Sequence, residues 1–156
     1  MAPSILVGTK PLTMSMFRTL SLSLCVGTVT AANAQSDCLV QKQVLDWCVE
    51  LAKEGLALSH ALHYSELTNG GSERLEITLT GDRTYKIAAV CDGDCGDLDL
   101  CLYDEDGDQV ACDTSDDSVP LLAITANANS GATLEVKMYN CKVNPCRYGV
   151  AIFSSR

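Results

Sequence analysis

CDGDCGDLDLCLYDEDGDQVACDTSDD, running from Cys91 to Asp117, is the stretch whose alternation decides the fold. Leu98, Leu100 and Leu102 fall on one face of an extended run, while Asp99, Cys101 and Tyr103 fall on the other, which is the period of a half-buried strand. Asp106-Gly107 readily accepts positive φ and predicts a two-residue type I′ turn between antiparallel strands. With Glu105 opposite Asp108, counting outward sets Tyr103 against Val110, Leu102 against Ala111 and Cys101 against Cys112. Opposed cysteines on neighbouring strands have Cβ atoms about 4.5–5.5 Å apart, close enough to bond.

On either side the same texture continues. Leu75, Ile77 and Leu79 alternate with polar residues, Thr80-Gly81-Asp82 turns the chain, and Tyr85, Ile87 and Ala89 alternate up to Cys91. Further extended runs are Val119–Thr125, Thr133–Tyr139 and Arg147–Phe153. Short runs separated by turn residues predict a mainly β protein, an antiparallel β-sandwich of jelly-roll-like character with about seven strands. An N-terminal α-helix precedes it. Between Ser36 and Lys53, Val40, Val44, Trp47 and Leu51 recur at helical spacing, and Gly55 ends or interrupts the element. The following LALSHALHYSEL fits a helix or a strand, and it is read here as a further helical turn leading into extended chain.

The N-terminus resembles an export signal beginning at Met14 or Met16. Arg18, the apolar LSLSLCVGTV and Ala32-Asn33-Ala34 follow one another in the order of a cleavable leader, which predicts a mature chain from Gln35. The apolar run is too short for a membrane span, which needs roughly 20 such residues. The expected divisions are 1–34 leader, 35–70 helical segment and 71–156 sandwich. Without Lys10 and Arg18, 9 basic residues face 20 acidic ones, a balance that disfavours nucleic acid and anionic membrane as partners. Without Cys25, the nine cysteines become eight, an even number that in an exported chain predicts up to four disulfides. Cys101–Cys112 follows from the hairpin, and Cys91–Cys95 and Cys141–Cys146 flank loops with turn residues at Gly93 and Asn144-Pro145. Cys38 and Cys48 remain. On one unbroken helix they lie about 15 Å apart, so either the first turn unwinds to let them pair or each reaches the sandwich.

Eleven acids lie between Asp92 and Asp117, and no Lys or Arg occurs from Ile87 to Val136. Such a cluster repels itself, and oxygen ligands around a hard divalent cation would relieve the repulsion; Ca2+ takes six to eight of them in loose geometry. The candidate ligands are Asp97 and Asp99 with Asp92, Asp94, Asp113, Asp116 and Asp117. The competing reading is a solvated acidic face that serves solubility. Asp104, Asp106 and Asp108 superficially match a calcium loop, but Gly107 and Ser115 stand at the wrong positions for one. His60 and His63 would share a helix face, yet no third ligand accompanies them at a compelling spacing.

Leu79-Thr80-Gly81-Asp82-Arg83-Thr84-Tyr85-Lys86-Ile87, Gly96-Asp97-Leu98-Asp99-Leu100-Cys101-Leu102-Tyr103-Asp104, Gly131 and Tyr148-Gly149-Val150 occur in an order and spacing similar to those of the bacterial pre-peptidase C-terminal domains. The resemblance covers about Leu75 to Phe153. It implies a small β-sandwich module of a secreted bacterial protein, non-catalytic and in some relatives trimmed after export, and it implies matrix-polymer or calcium binding in some cases. A helix of its own in the place of a peptidase domain, and the heavy cysteine load, depart from the pattern.

Together these features lead us to expect a secreted or periplasmic, non-catalytic, disulfide-stabilised module whose partner is a protein or an extracellular polymer. Two alternatives stand beside it: a calcium-stabilised accessory or processing domain of a secreted peptidase, and a small hydrolase. The hydrolase lacks a nucleophile motif such as G-x-S-x-G or H-E-x-x-H.

Overall fold

The structure, a computed structural model, describes residues 31–156, with side chains from 35 onward. The leader reading falls outside the described residues, except that positions 31–34 open the helix.

Helix α1 (Ala31–Lys53) buries Val40, Val44 and Leu51, the stripe expected from the sequence, with Trp47 packed alongside. Its C-terminus closes as a Schellman motif. Gly55, at φ 82°, donates its N–H to Ala52 O, and Leu56 N–H reaches back to Leu51 O. Leu56 packs in the same apolar cluster as Leu51, the contact that accompanies this cap.

Nine strands follow: β1 (Ala57–Leu58), β2 (His63–Leu67), β3 (Ser72–Leu79), β4 (Arg83–Cys91), β5 (Cys95–Tyr103), β6 (Gln109–Asp113), β7 (Leu121–Ala126), β8 (Ser130–Cys141) and β9 (Cys146–Ser154). They form two antiparallel sheets. One is ordered β1-β9-β4-β7, with β2 also paired to β9; the other is β3-β8-β5-β6. The strands beyond the expected seven are β1 and β2, so the helical turn expected after Gly55 does not form and sheet structure begins at Ala57, inside the segment assigned to the helical region. The reason is local. In β2 the inward positions are His63, Ser65 and Leu67, opposite Val150, Tyr148 and Cys146, and polar residues at two of three inward positions hide the period of two.

The inner faces meet in one core, with Tyr85 and Ile87 of β4, Leu98, Leu100 and Leu102 of β5, Leu134, Val136 and Met138 of β8, and Tyr148 and Ile152 of β9. Helix α1 covers the opposite face of the first sheet, against Val90, Ala151 and Phe153. At the β3–β4 turn, a Cβ on Gly81 would stand 2.7 Å from Ala128 Cα, so only glycine fits. Tyr85 holds that turn, its hydroxyl accepting from Thr80 N and donating to Thr80 O.

The β5–β6 hairpin keeps its expected cysteine register by a different route. Cys101 faces Cys112 and Leu102 faces Ala111, but Tyr103 faces Gln109. Gly107 N–H donates to Asp104 O, Asp104 N–H donates to Asp108 O, and Gly107, not Asp106, carries the positive φ, at 85°. This is a three-residue loop with a glycine bulge in place of the type I′ turn. The longer loop shifts the pairing by one residue, and Val110, bulged out of β6, shifts it back.

Candidate functional site

Within the sandwich three disulfides are formed, Cys91–Cys95, Cys101–Cys112 and Cys141–Cys146, as the sequence predicts. The helix runs unbroken through Cys38 and Cys48. Cys48 is a free thiol, whose pKa burial pushes up, whereas Cys38 is disulfide-bonded. A Cys38–Cys48 bond is therefore not formed, as the rise of an intact helix requires.

Most acids of residues 91–117 lie toward the two ends of β5, a nine-residue strand roughly 25 Å long, with Asp99 at its centre and Asp113 opposite Leu100. At the hairpin end, Asp104 Oδ1 accepts from Asp106 N and Asp108 N, and Glu105 accepts from Gly131 N. At the other end, Asp92 is buried; its Oδ2 accepts from Arg147 N at 2.9 Å and its Oδ1 from Asp94 N at 3.3 Å. Asp113 accepts from the Ser115 hydroxyl at 2.6 Å, from Ser115 N and from Leu121 N, and these bonds hold its carboxyl below the ordinary range. Asp117 accepts from Val119 N. These acids act as local acceptors for loop N–H groups, the reason such residues favour turns.

Asp97 differs. It is 9% exposed, and its Oδ1 is buried without a hydrogen-bond partner. Burial first, then the charges of Asp99, Asp116 and Asp117, push its pKa up. Asp99, on the outer face opposite Lys137, is also raised by burial, with Lys137 opposing and Asp113 adding to the shift. Of the seven metal candidates, Asp97, Asp99, Asp113, Asp116 and Asp117 thus influence one another electrostatically, whereas Asp92 and Asp113 already accept hydrogen bonds from loop donors. Asp94, half-buried, contributes its backbone O to Lys142 N. Among the described residues, no three His, Cys, Asp or Glu side chains gather closely enough to hold a metal ion.

A second polar group escaped the sequence reading. Glu73 occupies an inward position of β3, in line with Leu75, Ile77 and Leu79. There the Tyr148 hydroxyl donates to its Oε2 at 2.5 Å, and His63 Nε2 lies 3.2 Å from its Oε1. Burial raises the Glu73 pKa, but the hydroxyls of Tyr148 and Ser65 together with His63 outweigh it and hold the carboxyl low. Burial and then Glu73 push the Tyr148 phenol far above its usual range. The group closes the open edge between the sheets, where β2 faces β3. An acid in step with three apolar residues was the signal for it. His60 is not part of it: its Nε2 contacts Thr78 O and its Nδ1 contacts the Ser59 hydroxyl, so the two histidines serve different sites.

No helix among the described residues is long and apolar enough to cross a membrane. Compared with known proteins, the sequence matches no family model and no curated protein.

Proposed function

We propose that the chain is an exported, non-catalytic, disulfide-stabilised binding or accessory module, built on a sandwich that resembles the pre-peptidase C-terminal domains and directed at a protein or an extracellular polymer. The observation that carries this reading is the bonding of six cysteines in three pairs within the sandwich, since such bonds persist in oxidising compartments outside the cytoplasm. The ionisable groups that could suggest chemistry support it too, because Asp92, Asp104, Asp113 and Glu73 are engaged in holding loops and a sheet edge. The test is to isolate the protein from its native source, sequence its N-terminus and map its disulfides without reduction. A mature start at Gln35, with the three pairs oxidised, supports export. A retained leader with reduced cysteines, or turnover in a hydrolase screen, refutes the proposal.

Calcium stabilisation is a second reading, favoured by the buried Asp97 Oδ1 that no donor satisfies. Asp97, Asp116 and Asp117 influence one another electrostatically but are not gathered as a ready-made site, so the ion would have to draw the β6–β7 loop acids to Asp97, and Ca2+ would supply charge neutralisation and order. An ion bound only by the folded state raises stability with its concentration. A melting temperature higher in millimolar Ca2+ than in chelator, at constant ionic strength, supports the ion; an unchanged one leaves a solvated acidic face.

A further inference from the structure

The corner where β1, the end of β3, the start of β4 and the end of β9 meet forms an open pocket of about 330 Å³ whose lining includes Arg83, Arg156, His60 and Ser154 and no acidic side chain. In a chain with 20 acids and 11 basic residues, a cation finds a carboxylate easily. Arg147 pairs with Asp37 and Glu66, Lys86 with Glu54, Arg74 with Glu135, and Lys42 and Lys53 with neighbours on the helix. Arg83 is half-buried, yet among the described residues no carboxylate lies within 4.0 Å of it. Asp82, its neighbour in the chain, is exposed and does not pair with it.

Among the described residues, the side-chain bond of Arg83 runs from Nη1 to Ser154 Oγ, at 3.4 Å. Ser154 is buried, and with its oxygen accepting from Arg83 its own proton remains to be donated. His60 supplies a wall: its nitrogens are committed to Thr78 O and Ser59, and its ring stands edge-on to Tyr85. Arg83, whose guanidinium reaches Ser154, and Arg156 thus line one pocket together with a hydroxyl whose proton is free to be donated, a donor set suited to an oxyanion, because a planar guanidinium matches two oxygens of a carboxylate, sulfate or phosphate.

We infer that this corner is a binding site for a small oxyanion group, with Arg83 as its principal ligand, Arg156 as a second charge and Ser154 as a neutral donor. The inference stands apart from the export and calcium readings. The test is an NMR titration of the full chain with sodium sulfate, sodium phosphate or sodium acetate, each replacing chloride at constant ionic strength. Saturable shifts are expected at Arg83 Nε and at the amides of Ser154 and Ser155. Arg83→Gln should weaken binding about tenfold, the worth of one charge-assisted hydrogen-bond set, and Arg156→Gln, at an exposed position where folding is not at stake, should weaken it about threefold. Lys142→Ala, an exposed lysine at the other end of the sandwich, should change nothing. A sulfated disaccharide that binds more tightly than free sulfate would place the anion on a polymer, and equal affinity would make the free ion the occupant; either result supports the site. Shifts that grow linearly with salt, or equal affinity in Arg83→Gln and Arg156→Gln, would overturn it.

Discussion

The loop from Asp113 to Pro120 and the start of β5 at Asp97 lie side by side, joined by the bond from Leu98 N to Asp117 O, and they treat a carboxylate in opposite ways. Asp113 takes three donors and titrates low. Asp97 is more deeply buried, leaves one oxygen without a donor and titrates high, among three like charges. The sequence context is similar; the supply of N–H and O–H donors is what differs. An acid with donors is part of a loop's structure, while one without them stores an unfavourable charge that a proton or a cation can relieve.

The largest expected effect comes from a carboxylate on the structural side. Asp92→Ala removes the acceptor of two N–H groups, those of Arg147 and Asp94, and should cost about 3 kcal/mol in urea unfolding. A loss below the usual surface effect of about 0.5 kcal/mol would mean that the backbone donors find water and that the comparison fails. Next comes the bond that brackets Asp92 between the two cases. Replacing Cys91 and Cys95 together by serine should lower stability by about 2 kcal/mol through the unfolded chain's regained freedom, and it should bring the Asp97 pKa down as the site opens to water. Glu73 is an intermediate case, buried but served by side-chain donors. Tyr148→Phe removes the strongest of these and should cost about 1 kcal/mol, with the Glu73 pKa rising as its donor is lost.

The smallest effect has the opposite sign. Because the folded pKa of Asp97 lies above the ordinary 3.8, its protonated form contributes stability that is complete below 3.8 and is lost as pH rises through the folded value. Asp97→Asn should therefore raise stability near neutral pH by up to about 1 kcal/mol in the absence of divalent ions, and the gain should vanish in acid. Asp113 runs the other way. Its folded pKa lies below 3.8, so its contribution is present above that value and is lost as pH falls through the folded one. If Ca2+ occupies the Asp97 neighbourhood, the asparagine variant loses stability in its presence.

The core faces of β4, β5, β8 and β9, the helical stripe and three cysteine pairs were legible because each rests on a local period or a short count along the chain. The pairings Leu102–Ala111 and Cys101–Cys112 came out right although the turn and the Tyr103–Val110 and Glu105–Asp108 pairings did not, since the bulge at Val110 cancels the extra loop residue. Strand β2 was not legible, because His63 and Ser65 face inward for the sake of Glu73, a residue on another sheet. The acidic stretch looked like one cluster in sequence. A strand's length separates its halves, and the N–H groups that engage Asp92 come partly from Arg147, 55 positions away. For the same reason the corner at Arg83 was invisible: its lining comes from the two ends of the sandwich sequence, with Ser154 71 positions from Arg83.

The central claim is that donors, not acidity of the sequence, separate the structural carboxylates from the one left available. Carboxyl-detected NMR titration of Asp97 and Asp113 in one sample tests it most directly. The account predicts a midpoint above 3.8 for Asp97 and below 3.8 for Asp113. Coincident midpoints, or the reverse order, would contradict it.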